Sequence, residues 1–305
     1  MCFEKGGSGL KKIIALLWSV IFTFAGVVPI YASGYMTSDT ETMEIVNAKR
    51  ELVAQHSDEY IADFRNTIEG EERQARIVDL ICRMQTGELD SQTAIDALEE
   101  NGVYMLDTGT NENDVVVASE PGNVKLNNVT VTYDSYNNTW IVSGGGYWLK
   151  DAYWSDDIYP YVGVGKKNIG DCDAVGISLY NTSGTYNTRV IESYGYCSSG
   201  VEEKYNYNPT ICDGSQGAVF EYQDMVNNIG GDVVYLGKRF AAVIVYDANF
   251  TNFNGYARAF YLHTWSSAVI KEIGFGSSGK TWQFNVSITK EEYSFSCYSS
   301  GETRF

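Results

Sequence analysis

Apolar residues follow two different rhythms along this chain. Between positions 35 and 100 they recur every three to four residues, most clearly at Ile77, Leu80, Ile81 and Met84, which predicts amphipathic helices. A first helical stretch is expected over residues 42–68 through Ile45, Leu52, Val53, Ile61, Phe64 and Ile68, with Ser57 as a cap where it breaks. A short helix through Ala94, Ile95 and Leu98 is expected to start at Ser91 and to end in a left-handed turn at Asn101-Gly102. Such narrow stripes make a marginal core, so these helices are expected to dock on another surface.

From Val115 onward the period drops to two, between clusters of Gly, Asn, Ser and Asp. Val129, Val131 and Tyr133, then Trp140 and Val142, predict an opening hairpin around Tyr136-Asn137-Asn138. Residues 239–246 are apolar on both faces, which predicts a central strand covered on both sides. In residues 281–289, Trp282, Phe284, Val286 and Ile288 alternate with polar partners. The fold class is therefore α+β by segments: a small α-helical amino-terminal module, then an all-β, jelly-roll-like sandwich. The expected divisions are a secretory signal over 1–32, an acidic helical module over 35–103, a polar linker over 104–122 and the sandwich over 123–305.

The signal reading rests on Lys11 and Lys12 before the apolar run 13–28 and on the small residues Ala32, Ser33 and Gly34 after it. It places the protein outside the cell, with no membrane span once the signal is cleaved. A net charge of −17 argues against nucleic acid and anionic lipid as partners. Asp107, Glu112 and Asp114 in the linker are read as solvated charge, not a calcium site.

Cys82 sits on an apolar helix stripe and is read as a buried free thiol. Cys172, Cys197, Cys212 and Cys297 lie in the β half of an exported chain and are expected to form two disulfides of undetermined pairing. No Cys-x-x-Cys occurs, and with His56 and His263 as the only histidines no zinc site rich in His can be assembled, so no metal and no cofactor is expected. His263, between Tyr261 and Trp265 on one strand face, is the only His in the β half and so its only His candidate for catalysis; a packed, hydrogen-bonded role is the better expectation.

Gly274-Phe275-Gly276-Ser277-Ser278-Gly279-Lys280-Thr281 matches the phosphate-loop and dinucleotide patterns, but both require a following helix. Alternation after Thr281 predicts a strand, so the glycines are read as a hairpin turn and nucleotide is excluded as a ligand. The calcium-loop match at Asp247 fails at Asn252 and Arg258.

One enrichment points to a ligand. Tyr147, Trp148, Tyr153, Trp154, Tyr159 and Tyr161 crowd one segment with Asp151, Asp156 and Asp157. Flat amphipathic rings beside carboxylates suit a saccharide, since the rings cover its apolar face and the carboxylates accept from its hydroxyls. The expected function is non-catalytic recognition or adhesion toward an extracellular glycan or surface protein. A secreted hydrolase with a helical pro-segment and a toxin or bacteriocin-like β protein are the competing expectations.

Overall fold

The computed structural model describes residues 39–108, 123–149, 165–184, 187–229, 232–265, 268–278 and 281–305. The signal segment 1–32, most of the linker and residues 150–164 lie outside them.

A small helical module precedes antiparallel sheets, in the α+β layout that the two rhythms predict. Helix α1 (Asp39–Gln55) ends before Ser57, whose hydroxyl donates back to the Ala54 carbonyl instead of capping a new helix. The stretch breaks near Ser57 as expected, but no second helix runs on to Ile68. Short 3₁₀ turns replace it because Asp63 takes a left-handed conformation (φ 58°) and the Ile61 amide donates to the carbonyl of Tyr136. Helix α2 (Ile68–Gln85) starts where the Thr67 hydroxyl accepts from the Gly70 amide at 3.0 Å. Helix α3 (Ser91–Glu99) is capped one residue earlier than expected, by Asp90, whose carboxylate accepts from the Gln92 and Thr93 amides. Gly102, at φ 68°, closes it in the predicted left-handed turn.

The strands form two main sheets. In the first, strands β1 (Val103–Met105), β3 (Thr130–Asp134), β4 (Thr139–Trp148), β11 (Arg239–Tyr246), β6 (Val190–Ser198) and β7 (Glu203–Asn206) follow one another, with β2 (Val124–Leu126) also on β4. The hairpin β3–β4 turns at Asn138 as predicted, and β11 is central. In the second, β10 (Asp232–Leu236), β9 (Gly217–Ile229), β5 (Gly165–Gly184), β12 (Phe253–Thr264) and β15 (Ser294–Tyr298) are adjacent, with β8 (Ile211–Asp213) on β9 and β16 (Thr303–Arg304) on β12. Strands β13 (Ile270–Ser278) and β14 (Thr281–Ile288) form a separate hairpin, register Ser278 opposite Thr281. A strand therefore follows the glycine-rich match, as the alternation requires.

Period-two alternation explains the layering. Phe240, Ala242 and Ile244 of β11 meet Val175, Ile177 and Tyr261 of the second sheet in the central core. Ala241, Val243 and Val245 point the other way and are covered by Ile77, Val78, Ile81 and Cys82 of α2 and Leu98 of α3. Helices α2 and α3 thus dock on the outer face of the first sheet, whereas α1 packs Ile45 and Val46 into the central core. The hairpin β13–β14 covers the outer face of the second sheet through Ile273 and Phe284 against Phe260 and Leu262. Leu106, at the start of the segment read as linker, is buried, and its amide donates to Val131.

The expected disulfides are not formed. Cys82, Cys172, Cys197, Cys212 and Cys297 are all free thiols. Strand register gives the reason: Cys172 faces Gln223, Cys212 faces Ala218, Cys297 faces Tyr261, and Cys197 lies between Phe240 and Lys204 in the other sheet, so no cysteine stands opposite another. Cys82 is the buried thiol its helix stripe predicts.

Candidate functional site

His263 is where chemistry-bearing side chains first converge. It is 2% exposed and sits on the inner face of β12, with its Nδ1 at 2.9 and 3.0 Å from the two oxygens of Asp173 on β5. The Thr264 amide (2.9 Å) and the Tyr261 hydroxyl (2.8 Å) also donate to Asp173, so this carboxylate acts as an acceptor and Nδ1 carries the proton toward it. Asp224 on β9 lies beside them and accepts from the Tyr235 hydroxyl at 3.1 Å. Burial first, and the neighbouring Asp173 second, hold the Asp224 carboxyl well above the usual carboxylate range, against an opposing pull from His263. Burial likewise raises the hydroxyls of Tyr235 and Tyr261.

One donor atom each of Asp173, Asp224 and His263 falls within 4.8 Å of the others, a spacing that would suit a cation. The donors already aimed at Asp173 occupy the lone pairs such an ion would need. The two carboxylates are also as close as a glycosidase pair. Both are sealed in the core, however, so a saccharide has no route between them. The arrangement is a buried polar network that ties β5, β9, β10 and β12 together.

Of the aromatic segment singled out in the sequence, Tyr147 and Trp148 lie within the described residues. Trp148 is 3% exposed: its Nε1 donates to the Tyr261 hydroxyl at 3.1 Å and its ring meets those of Tyr235, Tyr261, His263 and Phe295 edge-on. It completes the network above and presents no free face to a ligand. Tyr147 is half-buried with the Lys125 ammonium over its ring. Asp151, Tyr153, Trp154, Asp156, Asp157 and Tyr161 lie outside the described residues.

The same ligand chemistry is assembled elsewhere. A cleft of about 350 Å³ opens between α2 and the strands β6 and β7. Helical spacing lines its one wall with Glu71, Gln74 and Val78, and strand alternation lines the other with Glu192 and Tyr194 on β6 and Tyr205 and Tyr207 at the end of β7. Tyr207 is 63% exposed; its ring meets Tyr194 edge-on at 5.6 Å and lies nearly parallel to Tyr205 at 6.4 Å. The Tyr194 hydroxyl donates to Glu192, and burial with that carboxylate beside it raises its pKa.

Two polar groups in this cleft are unanswered. Gln74 is only 6% exposed, yet neither its Oε1 nor its Nε2 makes a hydrogen bond, although its amide lies beside the Tyr194 hydroxyl. Arg65 lies 3.6 Å from Glu192 as a loose ion pair, while its Nε, Nη1 and Nη2 are buried with no hydrogen-bond acceptor. Buried polar atoms without partners are uncommon, because each forfeits about 1–3 kcal/mol. The cleft is not legible in the sequence because its rings come from β6 and the end of β7 while its polar groups come from residues 65–78, far apart in the chain. The alternation Glu192-x-Tyr194 and Tyr205-x-Tyr207 was its available signal. Comparison with protein-family models and with curated proteins finds no match to this chain, so the reading of the cleft rests on its own geometry.

Proposed function

We propose that the protein is a non-catalytic recognition protein that works outside the cell and binds a glycan, free or carried on a surface protein, in the cleft between α2 and β6–β7. The observation that carries this reading is Gln74, a buried amide with an unfilled donor and acceptor beneath a group of tyrosine rings. Tyr and carboxylate side chains together match a sugar's alternation of apolar faces and hydroxyls. Two further features favour binding over hydrolysis. The acids and imidazole that resemble catalytic groups are sealed in the core, and the helices form a wall of the cleft, so their removal as a pro-segment would dismantle it. The extracellular location rests on the signal pattern in residues 1–32.

A glycan array probed with the wild type, Tyr207→Ala and Trp154→Ala, run beside a polysaccharide and peptide hydrolysis panel, tests the proposal. Wild type and Trp154→Ala should bind, Tyr207→Ala should bind at least tenfold more weakly, and the panel should yield no product. Released product would overturn the non-catalytic reading. Binding lost in Trp154→Ala but kept in Tyr207→Ala would move the seat to the segment 151–161.

A further inference from the structure

The unfilled atoms of the cleft specify more than a sugar in general. Resting on the proposed glycan seat, we infer that the ligand is an N-acetylated saccharide, with its acetamido group held by Gln74 and Arg65. Gln74 presents one unfilled donor, Nε2, and one unfilled acceptor, Oε1, side by side. Arg65 adds three N–H-bearing nitrogens without acceptors. A hydroxyl-only sugar offers small rotating groups to such a site. An acetamido group offers a strong carbonyl acceptor for the guanidinium or Nε2 and an N–H donor for Oε1, with geometry fixed by the amide plane.

The remaining surfaces fit the rest of such a residue. Val78 supplies apolar wall for the acetyl methyl, and the exposed Tyr207 ring offers a face to the pyranose. Glu71 and Glu192 outnumber Arg65 in the cleft, so the local charge is net negative and a neutral ligand is favoured over an anionic one. A volume of about 350 Å³ is near the small end of ligand pockets, which span roughly 300–1,000 Å³, and suits one or two rings, not a long chain.

Isothermal titration of the purified full chain with four probes decides the matter: N,N′-diacetylchitobiose, the wholly deacetylated dimer, cellobiose and an N-acetylated tetrapeptide. The diacetylated dimer should bind at least tenfold more tightly than each of the other three. Gln74→Ala should bring it down to the cellobiose level, while Tyr207→Ala should weaken the binding of both sugars. The comparison between acetylated and deacetylated dimers needs no variant, so misfolding of Gln74→Ala leaves the test intact. Equal affinity for cellobiose and the diacetylated dimer, with both sensitive to Tyr207→Ala, would overturn the acetamido assignment and leave the glycan cleft standing. Equal binding of the acetylated peptide would overturn the sugar class, and no binding of any saccharide would remove the cleft as a glycan seat. A fifth probe, the N-acetylglucosamine–N-acetylmuramic acid disaccharide of bacterial cell wall, separates the sources. Preference for the chitin dimer assigns a neutral, chitin-type chain; preference for the wall disaccharide, whose lactyl carboxylate is anionic, would keep the acetamido group and overturn the preference for a neutral ligand.

Discussion

Lys49 of α1 ends among rings and carbonyls. Its Nζ donates to the Phe250 carbonyl at 3.0 Å and to that of Phe253, and the Phe250 ring centroid is 4.8 Å away. Burial lowers its pKa to about 7. In the unfolded chain a lysine keeps its proton to about pH 10.4, so between pH 7 and 10 the unfolded state binds more protons and this group makes stability rise with pH. Urea unfolding at pH 7, 8 and 9 should show Lys49→Met more stable than wild type at pH 7, with the advantage shrinking as pH increases. A constant difference would contradict the assignment. Removing the Asp173 carboxylate should have the opposite effect. Asp173→Ala strands His263, Tyr261 and the Thr264 amide without their acceptor and should cost about 3–5 kcal/mol in the same assay, whereas a loss under about 1 kcal/mol would mean that the network does not hold the sheets together.

The individual elements depend on a few capping atoms and on faces that alternate. Thr67→Ala removes the acceptor for the Gly70 amide and should lower stability by about 1 kcal/mol, read from the shift in urea midpoint. Ser57→Ala, by contrast, should be nearly neutral, since Ser57 caps nothing. This pair marks how far the fold was legible in the residues. The rhythm change, the Asn138 hairpin, the two-faced β11 and the strand after Lys280 follow from side-chain period, because period two or 3.6 is imposed by local backbone geometry. The loss of helix between Ser57 and Ile68 does not, because it depends on a tether from Ile61 to Tyr136 that no local pattern encodes. The expected disulfides fail for a related reason: spacing along a chain says nothing of which strand stands opposite which. The cleft lay hidden likewise, its chemistry split among residues 65–78, 192–194 and 205–207.

At the scale of the whole molecule, the sandwich is held by burial and hydrogen bonds without covalent ties among its described cysteines. Among the described cysteines, a thiol reagent added to the native protein should react first at the exposed Cys212 and more slowly at the half-buried Cys172. Cys82, Cys197 and Cys297 should react only after denaturation. Burial raises the thiols of Cys197 and Cys297 to about 12, which further suppresses their reactivity. A reducing agent should leave the unfolding midpoint unchanged, and a marked drop would reveal a bridge. The docking of α2 on β11 also sets an order of events during synthesis. Ile77, Val78 and Ile81 leave the ribosome long before Ala241, Val243 and Val245 exist to receive them. Until that late strand arrives, the helix carries an oily stripe with nowhere to rest, and so chain termination or pausing before residue 239 should yield a species that clings to chaperones.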